Sequence, residues 1–129
     1  SQINPAVLPN ETGEFSPNKV QAFLKITTAW DEGENITYPP IPLLSENTLT
    51  LRQKDGRVNT IAYTPTSFKM EYSTCKGQDC IHQGEVTLKN REQRSLTNSV
   101  VCLPNQITVL LLTPEEANTA WELYYAQQQ

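Results

Sequence analysis

Short β-prone runs separated by turn residues are the feature that most limits what this chain can fold into. In residues 49–63, two such runs lie on either side of Lys54, Asp55 and Gly56. An Asp-Gly pair supplies the positive φ angles that a tight hairpin turn requires. We therefore predict an antiparallel hairpin centred on this turn.

A second strand signal lies in residues 67–73, where apolar and charged side chains alternate. The period of two predicts Phe68, Met70 and Tyr72 on one buried face of a strand. Three prolines make residues 36–44 a connector or an irregular sheet edge. The other strand candidates are residues 85–88, 99–103 and 107–112, together with residues 19–30, which could also be a helix but in which Ile26, Thr27 and Thr28 favour a strand. This pattern predicts a mainly all-β fold, a small antiparallel barrel or sandwich of about six or seven short strands with one C-terminal helix.

The predicted helix occupies residues 114–126. Thr113 can cap it, Pro114 suits its first position, and Glu116 is placed to reach back to the cap. Trp121 and Tyr124 belong to an apolar face at helical spacing. Such an aromatic face could line a ligand groove, but a short helix gains most of its stability by docking. We therefore expect Trp121 and Tyr124 to pack this helix on the sheet.

Length and charge limit the organisation and the partners. The chain has 129 residues, the size of one domain, with net charge -4 and scattered basic residues. We expect an extended tether over residues 1–18, with a frayed domain end as the alternative, and a single domain over residues 19–129. No apolar run is long enough to span a bilayer, and no basic patch suits nucleic acid. We therefore expect membrane attachment only through a tether whose anchoring part is absent from this sequence.

Residues 75–84 and Cys102 hold the candidate site chemistry. Cys75, Cys80, His82 and Cys102 have the number and type of ligands of a structural zinc site, although the spacing is unlike the usual pairs of knuckles. A Rieske cluster needs two histidines, and His82 is the only one in the chain. No complete catalytic constellation or nucleotide-binding motif is present. We therefore expect no enzyme activity, no cofactor and no metal, with zinc on these four residues as the alternative.

The order C-x4-C-x-H-x-G followed by V-C-L-P-N and an apolar strand resembles domain II of the transcription factor NusG. The matching residues are Cys75, Cys80, His82, Gly84 and residues 101–105. This module also occurs as an exported or membrane-tethered protein in Gram-positive anaerobes. The resemblance implies an all-β domain without established catalytic activity. The charged loop at residues 89–98 and the added helix depart from the family pattern, and the domains through which NusG binds RNA polymerase are absent from this sequence.

Two functions follow from the resemblance. The first is a non-enzymatic, monomeric module on the extracellular face of the cytoplasmic membrane, exported and with lipid attachment left open, that presents a surface to an unknown protein partner. The second is a redox or metal-handling accessory of a membrane electron-transfer system that uses Cys75, Cys80, His82 and Cys102. The family's free-standing forms occur beside flavin-binding and electron-transfer components, which suggests this second function.

The resemblance also suggests a disulfide. In an oxidising compartment three cysteines allow one bridge and leave one thiol. The two matching segments are also similar to the paired loops of Rieske proteins, in which the first cysteine of each loop faces the same iron. This likeness implies a bridge between Cys80 and Cys102. Pairing of Cys75 with either of the others stays open, and His82 is expected to orient the loop through a hydrogen bond to backbone.

Overall fold

The computed structural model describes residues 20–29 and 35–128, which form two antiparallel sheets and two helices. The first sheet has the strand order β2-β1-β9-β8, with β3 also paired to β1. The second sheet has the order β4-β5-β6-β7. The strands are β1 (Phe23–Ala29), β2 (Asn35–Thr37), β3 (Ile41–Pro42), β4 (Asn47–Arg52), β5 (Val58–Thr64), β6 (Ser67–Ser73), β7 (Val86–Thr87), β8 (Ser99–Cys102) and β9 (Ile107–Leu112). The helices are α1 (Asp79–His82) and α2 (Pro114–Gln127).

The two sheets enclose the main hydrophobic core, so the all-β expectation is confirmed in its sandwich form. Ile26 and Val109, which are register partners in β1 and β9, contribute to this core from the first sheet. Ile61, Phe68 and Met70 contribute from the second sheet. The described residues contain nine strands rather than six or seven, because the proline-rich segment forms the two short edge strands β2 and β3.

Strand β9 is apolar on both faces because it lies between two hydrophobic clusters. Ile107, Val109 and Leu111 point into the core between the sheets. Leu110 and Leu112 pack in a second cluster, under helix α2. The molecule therefore has a third layer, in which α2 covers the outer face of the first sheet.

The capping box predicted for the C-terminal helix is present. The backbone N–H of Glu116 donates to Thr113 Oγ1 at 3.2 Å, and the backbone N–H of Thr113 donates to Glu116 Oε1 at 3.0 Å. Trp121 is buried in the second cluster, and Tyr124 packs partly buried beside it. The helix thus docks through the aromatic face that its spacing indicated.

The hairpin turn is also where the sequence placed it, between β4 and β5. Gly56 has φ of +92°, which an L side chain rarely adopts. Its N–H donates to the carbonyl oxygen of Gln53 at 3.1 Å. Asp55, the residue before it, does not have the positive φ expected of the Asp-Gly pair. Its carboxylate accepts a hydrogen bond from the Arg57 N–H at 3.2 Å.

The predicted alternation in β6 fails at Tyr72, which is 52% exposed. The pairing with β5 shifts by one residue between Thr60 and Ile61, so Glu71 is an extra residue in β6. A bulge of this kind reverses the in-and-out order of the residues that follow it. It turns Tyr72 outward and brings Ser73 into the interior.

The expected tether at residues 1–18 lies outside the described residues. In the part of the chain that the structure does describe, neither helix combines the length and the apolar character needed to cross a membrane.

Candidate functional site

The three cysteines converge between the two sheets. Cys75 follows the end of β6, Cys80 lies in α1, and Cys102 ends β8. Their Sγ atoms all lie within 4.8 Å of one another, and the Sγ atoms of Cys75 and Cys80 are 3.7 Å apart. The residues are only 5%, 1% and 1% exposed. The structure thus assembles a closed cluster of three sulfurs from three elements, and we call it the thiol cluster.

Gln78 shapes the loop that carries Cys75 towards Cys80. Its backbone has φ of 61°, in the left-handed region that favours glycine, and it forms the N-cap of α1. Its side-chain amide donates to the carbonyl oxygen of Ser73 at 2.9 Å and to that of Cys75 at 2.5 Å. These hydrogen bonds fold the loop back on itself, so that two cysteines five positions apart face the same point.

A buried polar network lies beside the thiol cluster. Ser73 Oγ accepts hydrogen bonds from Asn59 Nδ2 at 3.2 Å, from Asn105 Nδ2 at 3.4 Å and from the backbone N–H of Cys75 at 3.1 Å. Asn105 Nδ2 also donates to Asn59 Oδ1 at 2.8 Å. Because Asn105 follows β8 while Asn59 and Ser73 lie in β5 and β6, the network joins the two sheets.

Gln83 fixes the end of α1 against β8. Its side-chain amide donates to the carbonyl oxygen of Val101 at 2.7 Å, and its Oε1 accepts from the N–H of Val101 at 2.9 Å. The amide therefore bonds to the edge of β8 as a neighbouring strand would. Arg94, from the charged loop, donates to the carbonyl oxygens of Gln83 and Ser99 at 2.9 and 3.0 Å. Part of the charged loop at residues 89–98 thus supports this site.

The thiols differ in acidity. Burial raises the pKa of Cys75, but hydrogen bonds from Ser73 and from the thiols of Cys102 and Cys80 outweigh burial and hold the pKa below its ordinary value. Burial and the interactions with Cys102 and Cys75 raise the pKa of Cys80 to about 12. Of these two groups, Cys75 therefore ionises more readily and Cys80 stays protonated at neutral pH.

His82 does not join the thiol cluster. Its side chain is exposed at the end of α1, and within the described residues only the three cysteines form a group with metal-ligand spacing. The structure therefore does not bring together the four ligands of the predicted alternative zinc site. Across the described part of the chain, the imidazole also lacks the hydrogen bond to backbone expected of it. Gln78 and Gln83 orient the loop instead.

All three cysteines are free thiols in this structure. The sulfurs of Cys80 and Cys102 lie within 4.8 Å of each other, whereas a disulfide requires about 2.05 Å. The shorter separation of 3.7 Å between Cys75 and Cys80 belongs to the competing pairing. The bridge between Cys80 and Cys102 stays a prediction.

Three polar residues of the site were missed in the sequence: Ser73, Gln83 and Asn105. Ser73 is hidden by the bulge, which inverts the strand pattern. Gln83 and Asn105 do belong to the segments that resemble NusG domain II, but only the fold shows that Gln83 bonds to β8 and that Asn105 crosses between sheets. Their presence in those two segments was the available signal.

Comparison with known proteins identifies the fold only. No family model and no curated protein matches the sequence. The crystal structure of the Lin0431 protein from Listeria innocua superposes with a TM-score of 0.53 at 16% identity, over 72% of this chain and 97% of that one. A DUF1312 family protein from Enterococcus faecalis gives a TM-score of 0.51 at 14% identity, over 70% and 97%. The sandwich is therefore similar to solved folds, and at these identities the likeness extends to nothing else.

Proposed function

We propose that this chain is a non-enzymatic module of a bacterial cell envelope, related to domain II of NusG, whose cysteines serve its own fold. The observation that best supports this proposal is that all three cysteines are buried where the two sheets meet, each with 5% or less of its surface exposed. A thiol that acts on a substrate needs an approach from solvent, whereas buried structural thiols are inert. The cluster therefore stabilises the fold, and binding to a protein partner falls to the surface.

The local geometry supports the relation to NusG domain II. In the C-x4-C-x-H-x-G segment, Gly84 has φ of +81°, where a side chain would be strained. In the V-C-L-P-N segment, Cys102 supplies one sulfur and Asn105 the bond between sheets. Cys75, Cys80, Gly84, Cys102 and Asn105 thus have a structural task, whereas His82 and Leu103 are exposed.

In the exported protein, one disulfide completes this role. A Cys80–Cys102 bridge joins α1 to β8 and stabilises the fold by about 3 kcal/mol on the loop-entropy estimate. Peptide mapping without reductant, on protein isolated from its own cells, identifies the pair. A bridge that includes Cys75 would overturn the pairing and leave the structural role intact.

An assay of thiol exchange tests the non-enzymatic proposal. We expect the reduced chain to reduce insulin disulfides no faster than a Cys75→Ser variant, because no sulfur is exposed to the substrate. Catalysed reduction by the natural chain, lost in Cys75→Ser, would contradict the proposal.

Protease treatment of intact cells tests location, since an envelope protein is digested from outside and a cytoplasmic one is protected.

A second candidate is a redox accessory, favoured by the 3.7 Å separation of the Cys75 and Cys80 sulfurs. In this function the Cys75 thiolate attacks a partner disulfide, forming a mixed disulfide and releasing one partner thiolate. Cys80, which is protonated at neutral pH, gives its proton to the partner thiolate already released, attacks the Cys75 sulfur and releases the second partner thiolate. The partner gains two electrons and this chain keeps a Cys75–Cys80 disulfide. Redox titration would support this candidate if that pair equilibrates with glutathione in the folded protein.

A further inference from the structure

The spacing of the sulfurs suits one metal cation. The Sγ atoms of Cys75, Cys80 and Cys102 all lie within 4.8 Å of one another, with one pair at 3.7 Å. A cation bound at about 2.3 Å to three sulfurs in a trigonal plane holds those sulfurs about 4.0 Å apart. Small side-chain adjustments therefore reach a three-sulfur site, whereas a disulfide must bring two sulfurs much closer.

The number of ligands distinguishes between soft metals. Among the described residues, no histidine, aspartate or glutamate joins the three sulfurs, and the side chain of His82 is at the surface. Structural zinc sites are almost always four-coordinate. Cu(I) is selected by soft thiolate ligands and accepts three of them. The donor set is thus nearer to a Cu(I) site than to a zinc site.

The surroundings of the sulfurs also suit a bound cation. The Ser73 hydroxyl lies 3.6 Å from Cys102 Sγ. A metal-bound thiolate carries no hydrogen, so in the metal-bound protein the Ser73 hydroxyl is the donor in this contact. Hydrogen bonds of this kind orient metal-binding sulfurs and stabilise their charge. Ser73 therefore supplies one outer-shell donor to the thiol cluster.

We propose that the reduced protein holds one soft, thiophilic cation on Cys75, Cys80 and Cys102, with Cu(I) as the cation that this donor set fits best. Binding releases thiol protons to solvent and involves no electron transfer. The inference deepens the proposed structural role, because the metal would join the same elements as the thiols. It requires reduced sulfurs, so the Cys80–Cys102 disulfide and the metal exclude each other.

Anaerobic titration of the reduced chain with Cu(I), held by bicinchoninate as a coloured competitor, tests the proposal. We expect one Cu(I) per chain, with three sulfur neighbours by X-ray absorption. Cys75→Ser should weaken binding at least tenfold, and His82→Ala should leave it unchanged. A parallel titration with zinc should give weaker binding that is equally independent of His82.

Several results would overturn the site. These are failure to withdraw Cu(I) from the competitor, fewer than three sulfur neighbours, or a loss in His82→Ala equal to that in Cys75→Ser. Zinc binding that is tighter than Cu(I) binding and depends on His82 would restore the four-ligand hypothesis. If the Cys75→Ser variant does not fold, the number of sulfur neighbours found by X-ray absorption on the natural chain still decides whether the three-sulfur site exists. The insulin assay is run on metal-free protein, so failure of the metal site is distinguishable from failure of the proposed function.

Discussion

Replacing Asn105 with alanine tests the polar network that joins the two sheets. Asn105 is 3% exposed, and its amide donates at 2.8 Å to Oδ1 of Asn59, which is 0% exposed. The variant loses this hydrogen bond and leaves a buried acceptor without its donor. Removing one partner of a buried hydrogen bond, so that the other is left unsatisfied, costs about 1–3 kcal/mol. We therefore expect Asn105→Ala to lower the free energy of unfolding by about 1–3 kcal/mol.

Urea denaturation provides the assay. With an m-value of about 2 kcal/mol per molar, such a loss moves the midpoint by about 0.5–1.5 M urea. Asn59→Ala should also be destabilising, and the double variant should lose less than the sum of the two because both remove the same bond. Gln93→Ala, at an exposed position, is the matched control and should change stability by under about 0.5 kcal/mol. A loss for Asn105→Ala no larger than the control's, or strict additivity with Asn59→Ala, would show that the hydrogen bond between Asn105 and Asn59 does not stabilise the fold.

Three further predictions concern helix α2 and the hydrogen bonds between Gln83 and Val101. Trp121→Ala should cost about 3 kcal/mol or more because the ring is buried, whereas exposed Leu123→Ala should cost little; equal melting temperatures would contradict docking. A hydrogen bond from Arg91 holds the pKa of Glu116 below its ordinary value. The resulting stability is present above the unfolded pKa of about 4.3 and is lost as pH falls through the folded pKa. In thermal melts, the natural protein should therefore lose its advantage over Glu116→Gln between about pH 5 and pH 3. A difference in melting temperature that does not change with pH would contradict this. Gln83→Ala should speed hydrogen exchange of the Val101 amide, because the variant removes the acceptor of that N–H. An unchanged exchange rate would show that this hydrogen bond does not protect the edge of β8.

Local signals predicted those parts of the fold that depend on neighbouring residues. The hairpin at Gly56 and the capping box at Thr113 are each set by chemistry within a few positions, and both are present. The apolar run at residues 107–112 was a strand candidate, and it forms β9. Its two faces meet different clusters, which follows only from the position of α2.

The sequence pattern failed where pairing between distant residues decides the outcome. The bulge at Glu71 arises from the register of β6 against β5, and it exchanges Tyr72 for Ser73 in the interior. Cys75, Cys80 and Cys102 were recognised as candidates, but which of them meet depends on how β8 lies against the loop after β6. The C-x-H spacing of Cys80 and His82 suggested His82 as a metal ligand, but the fold leaves its side chain exposed and outside the thiol cluster.

Thiol reactivity in the folded, reduced protein tests most directly the claim that the cysteines serve the fold. A small aromatic disulfide reagent is added to metal-free protein, and the release of its thiolate is followed at increasing urea concentrations. If the cysteines serve the fold, Cys75, Cys80 and Cys102 react together and slowly, at a rate that rises with the fraction of unfolded protein. Rapid reaction of Cys75 alone in the native protein, at the rate of a free cysteine, would show that its sulfur is accessible and would support the redox function.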